Sequence, residues 1–255
     1  MRRVAVLPAL AVAAAAPFLA ACGAGGLDPV AKAADKATSA GSEHVVFSGY
    51  VVAGAQTIRL TGSGDFQASP RLGQASFSMT GGPVNASLDE VVKGPVVYLK
   101  SSLLSRLLSQ GKTWVSVNTD QLGAKLGANL GQFTQTNPAD VLPALEKAGS
   151  VKKLGTATID GVQTTHYEAV VDPAKLPGIS TLKTVHVNAF PIDAWIGTDD
   201  GLLRRLTMSE TASAAGQSAT TQWRMDFSNY GEPVTVTVPP AAETFDLTGL
   251  AEKMP

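Results

Sequence analysis

The chain has one cysteine, Cys22, and its position is the first feature that points to chemistry. Cys22 ends the sequence Leu-Ala-Ala-Cys at residues 19–22, and an almost wholly apolar stretch at 4–21 follows Arg2 and Arg3. A positively charged start, an apolar stretch and a small-residue cleavage site together predict an export signal. Because the stretch ends at Ala-Ala-Cys, we interpret it as a cleaved signal and not as a membrane-spanning helix.

The four residues 19–22 resemble the lipobox of bacterial lipoproteins. The resemblance implies a signal peptide at residues 1–21 and a diacylated N-terminus at Cys22, and Gly-Ala-Gly-Gly at 23–26 predicts a flexible tether within 22–26. Two or more acyl chains hold a protein stably at a membrane. The resemblance therefore predicts a lipid-anchored protein on the extracytoplasmic face of the cell membrane. The alternative is a secretory signal that contains a cysteine by chance.

Other residue types that carry chemistry are sparse. The three histidines, His44, His166 and His186, lack zinc-ligand spacing, and no second thiol could assist them. The sequence has no Gly-x-Ser-x-Gly nucleophile motif. Gly-Lys-Thr at 111–113 lacks the glycine that a phosphate-binding loop carries five residues earlier. We therefore expect no metal, no cofactor and no catalytic residue, and we predict that the protein is not an enzyme.

Composition narrows the class of protein further. The whole chain has 20 basic and 21 acidic residues, and Arg2 and Arg3 belong to the signal, so nothing indicates nucleic-acid binding. Charged residues make up 16% of the chain, below the roughly 25% of ordinary globular proteins. Beyond the signal, no apolar run approaches the roughly 20 residues of a membrane helix. We expect residues 27–255 to form a single, monomeric, strand-rich domain.

The first half of this domain alternates one helix with several strands. Asp28 as N-cap, Pro29 in the first turn and Gly41 as the stop predict a helix over 27–40. From Glu43 onward apolar and polar residues alternate with a period of two, which is typical of strands with one wet face. Glycine and proline separate the predicted strands, which are 44–52, 56–67, 74–80, 85–92 and 96–100.

The middle of the chain is predicted to be mainly helical. A serine cap and a glycine stop bound a helix at 101–111, whose apolar stripe is either core or a lid on a cavity. The stripe consists of Leu103, Leu104, Leu107 and Leu108. A strand at 112–118, a short helix at 120–130 and a proline-kinked helix at 137–149 follow.

The second half returns to strands. Asp160-Gly161 predicts a hairpin between 151–160 and 162–172, and Asp200-Gly201 predicts another between 193–199 and 202–211. Further strands are predicted at 220–230 and 234–238. About ten strands and three or four short helices result.

Four stretches in this order, 112–117, 137–172, 191–206 and 225–240, resemble actinobacterial lipoproteins of the LppX/LprG type with a LolA-like fold. The resemblance implies an α+β protein: a strongly curved antiparallel sheet, or half-barrel, with short helices on its concave side. It also implies that acyl chains are held between sheet and helices, with a role in lipid or lipoglycan transfer in the envelope. Only Cys22 is carried over residue by residue, because ligand contacts vary in the family.

Aromatic and methionine side chains are the candidates for lining such a cavity, and the Leu103–Leu108 stripe would wall it. Whether these side chains line a cavity or form ordinary core stays open from the sequence. The candidates in strands are Phe47, Phe77, Met79, Tyr98, Trp195, Trp223 and Met225. The expected partners are lipid or lipoglycan acyl chains, the membrane, and an envelope transport or regulatory protein. The alternative function is that of a LolA-like sensor that binds a membrane regulator.

Overall fold

The described residues of the chain form thirteen strands that belong to one sheet. The structure is a computed structural model, and the residues it describes are 29–102, 108, 111–121, 151–171, 186–187, 189–214 and 217–252. The strands are β1 (Ser42–Ala53), β2 (Gln56–Gln67), β3 (Leu72–Gly81), β4 (Val84–Lys93), β5 (Val96–Ser101), β6 (Trp114–Asn118), β7 (Val151–Ile159), β8 (Val162–Val171), β9 (His186–Val187), β10 (Phe190–Gly197), β11 (Leu203–Ala214), β12 (Gln217–Ser228) and β13 (Thr244–Asp246).

The sheet is open and curled, as the predicted half-barrel requires. Its strands follow one another in the order β13, β6, β5, β4, β3, β2, β1, β12, β11, β10, β8 and β7, and β9 pairs with β11 beside β10. Every pair is antiparallel except β13 with β6. Strands β1 and β12 join the two halves of the chain along ten paired positions. The two halves therefore form one continuous sheet.

The helix α1 (Pro29–Ala40) covers one face of this sheet, which we name the inner face. Val30, Ala33 and Ala37 form its buried stripe, and each is at most 2% exposed. Gly41 ends the helix at φ +85°, as the glycine stop in the sequence predicts. Alanine side chains allow the helix to lie close to the sheet, where it contacts β1, β10 and β11.

The core of the described part lies between α1 and the central strands. Its fully buried side chains on the sheet include Val45, Ile192, Leu203 and Leu206. Lys36 of α1 donates a hydrogen bond to the backbone oxygen of Asp200, which ties the exposed side of the helix to the loop after β10. The helix is thus fixed at one end of the inner face and leaves the rest of that face to other groups.

The predicted hairpin at Asp160-Gly161 is confirmed. Both residues have positive φ, +47° and +82°, which the tight turn between β7 and β8 requires. The turn at Asp200-Gly201 is longer than predicted, because β10 ends at Gly197 and β11 begins at Leu203. There the Asp200 carboxylate accepts a hydrogen bond from the Leu202 N–H at 3.0 Å.

The predicted strand at 234–238 is wrong, and the reason is geometric. Residues 229–240 lead from β12 to a 3₁₀ turn at Ala241–Glu243 and then to β13. This crossing segment must pass about seven inter-strand spacings, on the order of 34 Å, to reach the far side of β6. It therefore runs across the strands, where no ladder can form, and not alongside one.

The crossing segment still keeps the period of two that suggested a strand. Val234, Val236 and Val238 are half-buried, while Thr235 and Thr237 are exposed. Its first residues line a cleft against side chains of the outer face of the sheet, the face opposite α1. The valines therefore pack onto the sheet and the threonines face solvent. The helix α2 (Leu247–Glu252) follows β13.

Two helix predictions are only partly within the described residues. Asn118 caps a helical turn at 119–121, because its side-chain oxygen accepts hydrogen bonds from the N–H groups of Asp120 and Gln121, both at 3.1 Å. The predicted helix at 101–111 starts too early, since Ser101 belongs to β5. The predicted helix at 137–149 lies outside the described residues.

Candidate ligand-binding face

Two neighbouring rows of apolar side chains cross the inner face, one residue from each strand. We name each row after one member. The Phe47 row consists of Leu88, Phe77, Gly62, Phe47, Met225, Leu206 and Ala194. The Trp223 row consists of Ala86, Met79, Leu60, Gly49, Trp223, Met208 and Ile192. Together they form a continuous apolar strip, the apolar rows, across seven strands.

Burial divides the apolar rows into two parts. On β10 and β11, beneath α1, Ile192 and Leu206 are at most 1% exposed. On β1 to β3 the members are only half-buried, and they include Phe47, Phe77 and Met79. The part of the rows away from α1 thus keeps apolar surface that other groups can still contact.

Glycines in the apolar rows let aromatic rings lie flat on the sheet. A Cβ atom built on Gly62 would lie 2.7 Å from Cδ1 of Phe77, and one built on Gly49 would lie 2.7 Å from Cε3 of Trp223. Both approaches are far closer than carbon atoms tolerate. The rings therefore occupy the places of missing side chains and form a low floor instead of projecting from the sheet.

Phe47 connects the rings of this floor. Its ring centroid lies 5.2 Å from that of Phe77, tilted by 55°, and 6.3 Å from that of Phe66, at 90°. Tilted and edge-to-face arrangements at these distances are the favoured ones for aromatic pairs. The floor is thus a packed aromatic cluster with fixed geometry.

A carboxylic acid stands at each margin of the apolar rows. Glu90 lies two residues beyond Leu88 on β4, and Glu210 lies two residues beyond Met208 on β11. Burial raises the pKa of both carboxyls, and for Glu90 the charge of Arg71 opposes this effect. Burial in apolar surroundings favours the neutral form of a carboxyl group over the charged form.

The structure brings five of the predicted cavity residues together in the apolar rows. These residues are Phe47, Phe77, Met79, Trp223 and Met225. Tyr98 lies on the outer face, because Val97 and Leu99 beside it point inward. Leu108 is half-buried and outside any helix or strand. The remaining three leucines of the predicted stripe, Leu103, Leu104 and Leu107, lie outside the described residues.

Trp195 also lies on the outer face, opposite to the predicted placement. Its indole stacks on the His166 ring with centroids 4.2 Å apart and planes 7° from parallel. His166 Nε2 in turn lies 2.7 Å from Oδ1 of Asp193. Ile192, Ala194 and Ile196 take the inward positions of β10, so the strand period places Trp195 outward.

Leu60, Glu90 and the glycines of the apolar rows are not among the residues that the sequence predicts to line a cavity. Alternation in 56–67 and 85–92 could have placed Leu60 and Glu90 on the inner face, because each stands two positions from another inward residue. Gly49 and Gly62 gave no such signal. Their role depends on cross-strand neighbours that only the register reveals.

The outer face carries a small polar cleft. Its volume is about 270 Å³, and its lining includes His44, Asp65 and Gln74 together with Glu232 of the crossing segment. Asp65 accepts hydrogen bonds from His44 Nδ1 at 2.7 Å and from Gln74 Nε2 at 3.3 Å. The hydrogen bond from His44 lowers the pKa of Asp65, and the smaller contribution of burial opposes it. His44 and His166 thus each have an aspartate partner, as ordinary strand residues do.

The described residues contain no group of three or more histidine, cysteine, aspartate or glutamate side chains placed to hold a metal ion. None of their helices is long and apolar enough to cross a membrane.

The chain is similar in sequence to proteins of Streptomyces, although no family model matches it. A 31.2 kDa protein of Streptomyces griseus, encoded in the rplA–rplJ intergenic region, is 29% identical over 154 residues, or 53% of this chain and 48% of that protein. A presumed lipoprotein of Streptomyces coelicolor is 26% identical over 144 residues, or 55% of this chain and 44% of that protein. The chain thus spans about half the length of the curated relatives it matches.

Among solved structures, the lipoprotein LppX of Mycobacterium tuberculosis is similar with a TM-score of 0.51 and 17% identity. The match covers 82% of this chain and 96% of that chain. The chain therefore has the fold of LppX, and the predicted resemblance is confirmed at the level of the fold.

Proposed function

We propose that this protein is a cell-envelope lipoprotein that binds acyl chains against the apolar rows and carries or presents them across the envelope. The observation that carries the proposal is the apolar strip itself. Half-buried aromatic and methionine side chains lie side by side on β1 to β3 and β12, where several of them pack against the edge of the core that α1 covers. Contiguous apolar surface of this kind is typical of ligand grooves and interaction sites.

The chemistry of the strip suits hydrocarbon. The aromatic floor offers flat apolar contact, and Met79 and Met225 add flexible side chains that adapt to irregular chains. Each methylene group that leaves water gains about 0.8 kcal/mol. A chain of a dozen or more methylenes could therefore bind firmly without any polar contact.

A lipidated Cys22 would anchor the protein to the membrane. Two acyl chains on this residue would hold the protein on the extracytoplasmic face of the membrane, close to its ligands. Two relatives support the anchor: the name of the S. coelicolor protein and that of LppX both describe lipoproteins.

Tryptophan fluorescence can test the acyl-binding proposal, because the chain has three tryptophans and two of them lie on opposite faces of the sheet. A Trp114→Phe/Trp195→Phe double variant keeps Trp223 on the inner face. A Trp114→Phe/Trp223→Phe double variant keeps Trp195 on the outer face as the matched control. Each is titrated with a fatty acid brominated along its chain, since bromine quenches fluorescence only at close range.

We expect saturable quenching of Trp223 and little quenching of Trp195. Equal quenching of the two would indicate non-specific adsorption to the protein surface. The absence of saturable quenching at Trp223 would contradict acyl binding at the apolar rows.

A further inference from the structure

Glu90 places a carboxyl group in an otherwise apolar row of the inner face. This row, the Glu90 row, runs directly beside the Phe47 row. It consists of Leu99, Glu90, Ala75, Gly64, Val45 and Phe227. Along β4 the neighbours on the same face are Leu88 and Val92, and Val92 is fully buried. The carboxyl is therefore surrounded by hydrocarbon on its own strand and on both adjacent strands.

Glu90 makes no hydrogen bond or salt bridge to another described residue, and Arg71 is the described residue whose charge acts on it. Its side chain is half-buried on the inner face, where a ligand on the apolar rows would lie next to it. Burial raises its pKa, which favours the protonated form. A buried polar group without a hydrogen-bond partner costs free energy, and a ligand that supplies the partner recovers that cost.

We propose that Glu90 binds the carbonyl end of the acyl chain that lies on the apolar rows. The inference rests on the proposed function and identifies the class of ligand: an acyl ester or a free fatty acid, not a bare hydrocarbon. The protonated form, which burial favours, can donate its O–H to the carbonyl oxygen, and the chain then extends over the Phe47 and Trp223 rows.

The surrounding charges select this class over a cationic lipid. Arg71 is the charged group that acts on Glu90, and its Nε and Nη2 atoms are shielded from solvent. The cross-strand neighbours Ala75 and Leu99 carry no charge. A positive potential in a desolvated setting repels an amine and attracts the partial negative charge of a carbonyl oxygen.

The test compares ligands that differ only at the polar end. Methyl palmitate, palmitic acid and hexadecane each displace a pyrenyl-alkane probe from the full chain and from three variants. Glu90→Leu removes the hydrogen-bond donor, and Glu90→Gln keeps a donor in a neutral amide. Asp89→Leu changes the next residue on the same strand, which faces outward and bonds to Ser76, so it serves as the matched control.

We expect Glu90→Leu to lower the affinity for methyl palmitate and palmitic acid by about 2- to 12-fold, the range that one net hydrogen bond contributes. The affinity for hexadecane should stay unchanged. Glu90→Gln and Asp89→Leu should keep the preference for acyl ligands over hexadecane. A loss confined to palmitic acid would show that Glu90 recognises the O–H of a free acid, which the ester lacks, and it would overturn the role of the carbonyl.

An unchanged ratio of ester to hydrocarbon affinity in Glu90→Leu would overturn the inference while leaving acyl binding intact. If the probe itself does not bind saturably to the unaltered chain, the proposed function fails, and the inference fails with it.

Discussion

Phe77 lies across the backbone of Gly62 on the neighbouring strand, so that its ring fills the place where another residue would carry a side chain. Gly62→Ala would bring a methyl group to 2.7 Å from the Phe77 ring and against the backbone oxygen of Ser76. We expect a loss of about 1–3 kcal/mol in the free energy of unfolding, as for other overpacked sites. Urea denaturation measures this loss.

Gly155 provides the control for this substitution. It also lies in a strand, but a Cβ atom built on it meets nothing within 4 Å. Gly155→Ala should leave stability unchanged or raise it by up to about 1 kcal/mol, because alanine restricts the unfolded chain. Equal losses in the two variants would show that the ring above Gly62 is not the cause.

Cys22→Ser should move the protein from the membrane fraction to the soluble fraction. The serine hydroxyl is not a substrate for lipidation of the predicted type, and without acyl chains the anchor is lost. Membrane fractionation after a salt wash, with mass measurement of the N-terminal peptide, checks this prediction. A Cys22→Ser protein that stays membrane-bound would refute Cys22 as the sole anchor.

Glu90 should make the protein less stable as the pH rises. Burial raises its pKa in the folded state, so the folded protein binds this proton more tightly than the unfolded chain does. Stability from this group is full below the unfolded pKa, near 4.5, and falls as the pH rises through the folded pKa. Arg71, the charged group that acts on Glu90, reduces the effect without reversing it.

Glu90→Gln removes the titration and should therefore flatten this part of the pH profile. The variant should melt at a higher temperature than the unaltered protein at pH 8 and at a similar temperature at pH 4. Thermal melts across this range measure the difference. A difference that is the same at both pH values would mean that the folded pKa of Glu90 is not raised.

The packing of the crossing segment, 229–240, onto the sheet should depend on its valines and not on its threonines. Val236 is half-buried where the segment packs onto the sheet, so Val236→Asp would partly bury a carboxylate, at a cost on the order of 1–3 kcal/mol. Because the segment has no ladder of its own, we expect local detachment, seen as faster amide hydrogen exchange in the strand it leads to, β13, which pairs with β6. Thr237→Asp, one residue away and exposed, should change stability by no more than about 0.5 kcal/mol.

The sequence predicted most strands well because they are long, alternate over much of their length and are separated by glycine or proline. The bounds predicted for β2, 56–67, are those observed, and the other strands of the first half shift by no more than two residues. The very short strands β9 and β13 escaped prediction. A strand of two or three residues is too short to show an alternating pattern. Its pairing depends on which distant strand the folded chain brings beside it.

The candidate site was harder to predict because the direction of a side chain depends on counting from a known inward residue. Trp195 and Tyr98 were predicted to line the cavity because they are large and aromatic. Each of them stands between two aliphatic residues that point inward, so each points outward. The sequence 234–238 shows the opposite difficulty. Its alternation is real, but a period of two reports burial of one side and not the presence of a partner strand.

The pairing of β1 with β12 has a consequence for how the chain comes to be folded. The two strands are about 170 residues apart in sequence, and contacts of such high contact order form slowly. Strands β1 to β6 are synthesised first and can assemble as a meander, but one edge of β1 then waits for the last long strand. An unpaired edge with apolar neighbours is prone to join other chains. Until β12 pairs with it, this edge of β1 is open to pairing with another chain, so fast docking of β12 protects the first half from aggregation.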